Sequence, residues 1–272
     1  MLGDLSPALL ELILRFVDSE DGFCEHKAHM ERLNRATSRV ALQLPCFRVR
    51  RLEQLNQLTP ENRLRCRSLL SSSASLRRIP AHVERLTLKG HCERIPEGER
   101  LKVVVCDEMP LMAPEGIVEL VAFRVPTWHS SALPTSLRTL KVAGFRGTLS
   151  PGLLPSSLVT AEFEFAVLTV PENGFPNSLF HLSLCNVVLH EIHLPPCLQS
   201  LELHLWSAMD PPPLPGSIQR LSVDLNLVPL PRYLPGCLEV LWVPQWPSEV
   251  VVREIRERFP RAKLKFGMDL SM

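Results

Sequence analysis

The chain has 272 residues, 45% of them hydrophobic, and its charge is nearly balanced, with 30 Lys and Arg against 29 Asp and Glu. That composition supplies a sizeable core and excludes both a disordered polymer and a partner held by whole-molecule electrostatics. No run of about eighteen uncharged apolar residues is present to span a bilayer, and residues 2–23 carry Asp4, Pro7 and Glu11 without a basic start, so neither a membrane segment nor a secretory leader is expected.

The first predicted element is a helix. Ser6 is an N-cap with Pro7 in the first turn, Leu9, Leu10, Ile13, Leu14, Phe16 and Val17 follow at helical spacing, and Asp18-Ser19-Glu20-Asp21-Gly22 stops it. A second helical stretch, about 26–42, puts Met30, Leu33, Thr37, Val40 and Ala41 on one face. Neither is long enough to stand alone. The run Leu5-Ser6-Pro7-Ala8-Leu9-Leu10-Glu11-Leu12-Ile13-Leu14-Arg15-Phe16-Val17-Asp18 resembles the opening of an F-box, L-P-x-E-L-L-x-x-I-L-x-x-L, with Ser6 and Ala8 in place of the usual Pro and Glu. Leu33 to Ala41 falls where that family has its V-C-x-x-W region, Val40 standing near the tryptophan. The resemblance implies that residues 1–46 dock on the adaptor of an SCF ubiquitin ligase, and so on its cullin, through Leu5, Pro7, Leu9, Leu10 and Ile13. The alternative is a helical cap on a repeat array.

Residues 47–78 follow as a basic linker and degenerate first repeat. Between Arg48 and Arg78 there are eight arginines against Glu53 and Glu61, an excess that suits phosphate contacts. No aromatics interleave it, so nucleic acid is set aside in favour of a solvated linker and a strand, Leu64 to Leu69, with its arginines outward.

From residue 79 to 246 one phrase returns. Leu133-Pro134-Thr135-Ser136-Leu137 recurs as Leu154-Pro155-Ser156-Ser157-Leu158, Leu214-Pro215-Gly216-Ser217-Ile218 and Leu234-Pro235-Gly236-Cys237-Leu238, with anchor prolines 16 to 21 residues apart. Such a period signals a solenoid. Apolar residues fall at the third, sixth and eighth positions after each anchor, as in Leu179/Leu182/Leu184 and Leu198/Leu201/Leu203. This is L-x-x-L-x-L, the strand half of a leucine-rich repeat. Two copies are irregular: Leu101/Val103/Val105 is out of step with Pro96, predicting a kink or bulge, and Ala161 precedes Phe163 after Pro155, predicting a volume swap. Prolines crowd the connections, so helices are not expected there and extended, polyproline-like returns are. The slot eleven after the anchor, where such repeats carry Asn or Cys, holds residues such as Val125, Phe145, Ala166 and Val187; bulky apolar packing is expected instead of an asparagine ladder. The stretch Arg146 to Leu158 resembles the FNIP-type repeat, N-Q-P-L-x-P-G-x-L-P-x-S-L, and the short units resemble the repeats of secreted bacterial effectors.

Residues 247–272 read as a C-terminal cap: Ser248 opens a helix with Val251, Val252, Ile255 and Phe259 inward, Pro260 closes it, and Lys263-Leu264-Lys265-Phe266 is a short strand.

The fold class is therefore α/β: a solenoid of short parallel repeats with a helical segment at each end. Solenoids bind, and side chains at the fourth, fifth and seventh positions are expected on the concave face. Arg138, Lys141, Glu162, Phe180, His181, Glu202, Arg220 and Trp242 are the candidates for a protein partner, with Phe180 and Trp242 as aromatic anchors. Eight cysteines never come closer than twelve residues, with no Cys-x-x-Cys. Reduced thiols are expected, those of Cys197 and Cys237 buried beside core leucines. Cys24, His26 and His29 form a lone cluster without a second, so no metal or other cofactor is expected. No nucleophile constellation or phosphate loop appears. The expectation is a non-enzymatic interaction protein, cytoplasmic with the nucleus as a second place: a substrate receptor of an SCF-type ligase, or a repeat scaffold unconnected with ubiquitin whose N-terminal helices only cap it.

Overall fold

Seven of the repeats begin with a tight turn closed by the anchor proline's own carbonyl. Three residues on, the N–H donates back to it: Val83 to Pro80 (3.0 Å), Leu137 to Pro134, Leu158 to Pro155 and Leu179 to Pro176 (3.1 Å each), Leu198 to Pro195 (3.2 Å), Ile218 to Pro215 (3.3 Å) and Leu238 to Pro235 (3.1 Å). Proline suits this place because only its acceptor is used and its missing donor costs nothing.

The computed structural model describes residues 48–49, 68–72, 79–91, 94–125, 128, 133–205, 213–223, 235–243, 249–258 and 260–267. The expected N-terminal helices, with Leu5, Pro7, Leu9, Leu10 and Ile13, and the Cys24, His26, His29 cluster lie outside them. In chain order the strands are β1 (Arg48–Val49), β2 (Ser68–Ser72), β3 (Arg85–Lys89), β4 (Val103–Glu108), β5 (Glu119–Arg124), β6 (Thr139–Ala143) and β7 (Arg146–Thr148). They continue as β8 (Thr160–Glu164), β9 (Val167–Val170), β10 (His181–Ile192), β11 (Ser200–Leu205), β12 (Arg220–Val223), β13 (Val240–Val243), the helix α1 (Glu249–Arg258) and β14 (Lys263–Phe266).

Two compact units share the chain: Met1–Gly90 with Pro96–Val105, and His91–Ile95 with Cys106–Met272. In the first, β1, β2 and β3 run parallel, Arg48 opposite Ser68, Leu69 opposite Leu86 and Ser71 opposite Leu88. The stretch read as a linker thus carries two strands of the ladder. Of its expected strand at 64–69 the described part is Ser68 and Leu69, in a strand that runs on to Ser72 with Leu69 opposite Leu86 and Ser71 opposite Leu88; residues 64–67 lie outside the described ones.

In the second unit β5, β6, β8, β10, β11, β12, β13 and β14 form one parallel ladder. Its register aligns the repeats residue for residue: Leu120 with Leu140, Leu140 with Ala161, Ala161 with Leu182, Leu182 with Leu201, Leu201 with Leu221, and Leu221 with Leu241. These sixth-position residues are all buried, as are the third- and eighth-position rows on either side. Between them lie half-exposed residues, the alternation a strand buried on one face requires. Ala161 and Phe163 are both fully buried, and the ring of Phe163 packs near Phe175, centroids 6.2 Å apart.

In the repeat after Pro96 the anchor itself is displaced. Leu101 N–H bonds the carbonyl of Gly98 at 3.2 Å, so Gly98 takes the proline's place. Counted from it, Leu101, Val104 and Cys106 occupy the third, sixth and eighth positions and are buried. Val103 and Val105, expected inside, are the half-exposed alternates. The anchor lies two residues later than Pro96, and the strand phrase counted from it is the usual one.

The returns also differ from expectation. Instead of bare polyproline segments, β7, β9 and the second half of β10 form another parallel ladder, Arg146 opposite Val167 and Val167 opposite Val188. Extended segments at equal height in successive repeats can bond one another, and they bury every second residue: Leu168 and Val170 in β9, Val187 and Leu189 in β10. The prolines sit just beyond these strands. In Ser150-Pro151-Gly152-Leu153, Leu153 N–H bonds Ser150 O at 3.1 Å while Gly152 adopts φ 81°, a conformation glycine takes freely.

Between strand and return the chain turns a corner at the tenth position after the anchor, held in left-handed conformation by Gly90 (φ 85°), Gly144 (79°), Phe165 (51°) and Asn186 (53°). Just past it Val125, Phe145, Ala166 and Val187 are buried, apolar packing where an asparagine ladder would stand. The corner's amides bond the neighbouring repeat: Gly144 N–H to Glu164 O (2.9 Å), Phe165 to Cys185 O (3.0 Å), Val167 to Phe145 O (2.8 Å) and Val188 to Ala166 O (2.8 Å).

The polar ladder is at the other end of the strands and is made of serine. At the second position after the anchor, each hydroxyl donates to the third-position carbonyl of the repeat before: Ser136 to Ile117 (2.8 Å), Ser157 to Leu137, Ser178 to Leu158 and Ser217 to Leu198 (2.7 Å each). Cys237 does the same through Sγ, to Ile218 O at 3.1 Å. Cys197 and Cys237, expected to be buried, are exposed because the second position lies in the turn, ahead of the core leucine. In α1, Ile255 is fully buried while Arg253, Glu254, Arg256 and Glu257 face solvent, and β14 pairs with β13.

Two stability measurements check this architecture by urea unfolding. Leu182→Ala and Leu221→Ala should each cost about 2–5 kcal/mol, and His181→Ala and Gln219→Ala beside them less than about 0.5 kcal/mol; equal losses would refute the register. Ser157→Ala and Ser178→Ala should each cost about 1 kcal/mol, whereas Cys237→Ser should be neutral or stabilising, since a hydroxyl is the better donor to the same carbonyl.

Candidate interaction face

The ladder leaves one face of its strands open, carrying the residues between the buried rows. Across it the seventh-position row reads Lys141, Glu162, Ser183, Glu202, Ser222 and Trp242, each opposite the next. Four of the eight sequence-derived candidates, Lys141, Glu162, Glu202 and Trp242, stand in this row. Lys141 and Glu162 pair at 2.9 Å, side chains 41% and 27% exposed; a pair so placed contributes little to stability and leaves both groups within a partner's reach. Glu202 accepts a hydrogen bond from Ser183 at 2.9 Å. His181 and Arg220 occupy the fifth-position row, separated by Ser200. Arg138 and Phe180 stand one place earlier, in the turn, both exposed. Backbone, not side chain, explains why that place is fixed: Phe180 O accepts the N–H groups of both Gln199 and Ser200 at 3.0 Å, a fork repeated at Glu84, Val118, Val159, Gln199, Gln219 and, through Arg138 O, under Thr160.

Trp242 differs from the free anchor expected. Its indole N–H donates to Gly267 O at 2.7 Å, closing over β13 and β14, and the residue is half-buried. Its polar handle is spent within the chain, whereas Phe180 keeps a ring with nothing polar to satisfy.

Two aromatics were missed by the sequence reading. Phe123 is 53% exposed and Phe165 61%. They lie at the ninth and tenth positions, past the window of fourth, fifth and seventh. Nothing in the sequence singled out Phe165, since the same column also holds Arg124 and Leu205; only the backbone shows that it shares the left-handed corner that Gly144 and Asn186 form in the repeats on either side. Near them a shallow groove opens on the face, lined by Val121, Phe123, Lys141, Ala143, Glu162 and Glu164.

The face offers little for covalent chemistry. Ser222 and His204 Nε2 stand 3.5 Å apart, but Ser222 is only 4% exposed, out of reach of a substrate. Burial, and then the fields of Glu202, Glu164 and Glu162, hold the Cys185 thiol above the ordinary cysteine range, the reverse of what a nucleophile needs. Among the described residues no group of three His, Cys, Asp or Glu is placed to hold a metal ion, and no helix is long and apolar enough to cross a membrane.

No family model and no curated protein sequence matches this chain. Among solved structures it is similar, at 21% identity and a TM-score of 0.49, to CroV588, described as a novel circular LRR protein; the similarity covers 63% of this chain and 28% of that one.

Thiol labelling checks the environment assigned to Cys185. A raised folded-state pKa means less thiolate at any pH below it, so iodoacetamide at about pH 8 should modify the exposed Cys197 well before Cys185, read by peptide mass spectrometry. Unfolding in urea should abolish the difference; equal rates in the native chain would contradict it.

Proposed function

We propose that this chain is a non-catalytic protein-interaction module of leucine-rich repeats, and that the open strand face recognises a protein partner. The observation that carries the reading is the contrast across the sheet: one side is a continuous row of fully buried leucines, the other keeps Phe123, Phe180, Arg138 and Arg220 exposed. Those aromatic and arginine side chains are the types that dominate interfaces, and stacked repeats present such a face as one extended surface. The narrower form of the proposal is a cytoplasmic substrate receptor of an SCF-type ubiquitin ligase. Its support is the F-box resemblance of residues 5–18, with Leu5, Pro7, Leu9, Leu10 and Ile13 entering an adaptor groove. A second reading, a scaffold whose N-terminal segment is only a cap, is favoured by the parallel strands already present at Arg48–Val49 and Ser68–Ser72, since a repeat array needs a polar-faced cap at its end.

Affinity purification of the intact chain tests both levels. Phe180→Ala should reduce partner recovery about fivefold or more with the melting temperature nearly unchanged. Loss of binding only on changes to the return side, such as Arg146→Glu, would refute the open face. Leu9→Ala with Ile13→Ala should remove the SCF adaptor and cullin while the partner is retained; if neither is recovered with the unaltered chain, the ubiquitin connection falls and the scaffold stands.

A further inference from the structure

The groove at the C-terminal end of β5, β6 and β8 has a composition that selects its occupant. Its floor is apolar, Val121 and Ala143. On one side stands Phe123, a ring 53% exposed. On the other stand Glu162 and Glu164. The single cation lining the groove, Lys141, is engaged by Glu162 at 2.9 Å, whereas no ion pair or hydrogen bond reaches the exposed Glu164 side chain among the described residues. A carboxylate beside an exposed ring is the combination that attracts an organic cation, through charge and through the ring's face together.

Phe165 supplies an independent observation. It immediately follows Glu164, adopts φ 51°, and is 61% exposed. A bulky side chain in the left-handed region is strained, and neighbouring repeats avoid that strain with glycine or asparagine in the same place. With most of its surface in water, the ring recovers little of this cost by packing. Strain kept without a structural return marks a residue retained for contact.

We propose that this groove binds a lysine or arginine side chain of an extended, basic segment in the partner protein, the cation meeting Glu164 and the stem lying along Phe123, with Phe165 at the rim. From β5 to β11 the fifth, seventh and ninth positions carry Glu119, Glu162, Glu164 and Glu202 against Lys141, while the exposed Arg138 and Arg124 stand outside those rows, at the fourth and tenth positions. The proposal rests on the reading of the open face as the recognition surface and names the chemistry it recognises.

The test uses random peptides of about twelve residues, roughly 40 Å when extended, selected by phage display on the intact chain and then titrated by fluorescence anisotropy. Enriched peptides should carry Lys or Arg, bind more weakly as salt is added, and lose about tenfold in affinity on Glu164→Gln and on Phe165→Asn. Phe165→Asn should leave the melting temperature unchanged or raised, which a packing role would not. Enrichment of acidic or purely apolar peptides, binding indifferent to Glu164→Gln and Phe165→Asn, or no enrichment at all would each overturn the proposal. If the peptides ignore those two changes but lose affinity on Phe180→Ala, the open face survives as the recognition surface without this cation site.

Discussion

Everything in this molecule depends on repeats meeting at equal height. A strand whose sixth-position leucine were displaced by one residue would turn its whole buried set toward solvent, and no single repeat has a core of its own to fall back on. Three interactions hold the height. The leucine rows favour it energetically, each buried side chain being worth a few kcal/mol. The forked backbone bonds at the fourth position fix it at the strand's entrance. The serine hydroxyls, each bonding the third-position carbonyl of the repeat before, bridge the turns themselves. Only the first is non-directional; the other two make the register specific.

Because register is set at the turn, length can vary between repeats without harm. The repeat anchored at Gly98 shows this. Its anchor is not proline and the spans before and after it are shorter, 18 and 16 residues against 19 to 21 elsewhere, yet Leu101, Val104 and Cys106 are buried as their counterparts are. Changes in loop length cost little when the segment concerned carries no register information. The same logic lets the returns differ: three neighbouring ones bond into a second ladder, because Gly144, Phe165 and Asn186 turn the chain at the same point.

The core was legible because a period of two within a period of about twenty leaves few ways to bury so many leucines. Leu182, Leu201 and Leu221 were placed correctly from spacing alone. What was not legible depended on backbone conformation. Counting from Pro96 failed because the turn's acceptor is a carbonyl, which any residue supplies. The thiols of Cys197 and Cys237 were misplaced because adjacency to a leucine says nothing about which side of a turn a residue occupies. The serine of L-P-x-S-L was visible at 136, 157, 178 and 217, but its role appears only when the carbonyl of the previous repeat is brought within 2.7 Å. On the face, alternation singled out Lys141, Glu162 and Phe180, while Phe123 and Phe165 lay beyond the strand window.

The two kinds of outlier on this face point in opposite directions. Trp242 looks like an anchor in sequence and is partly consumed by Gly267, so its loss would disturb the β13–β14 edge as well as any contact. Phe165 looks unremarkable in sequence, yet it costs the fold about 1–2 kcal/mol of backbone strain and exposes its ring. A residue that stabilises the fold gives no information about binding when it is removed, because stability and affinity fall together. A residue that opposes the fold separates the two, and Phe165 is where this surface allows stability and recognition to be pulled apart.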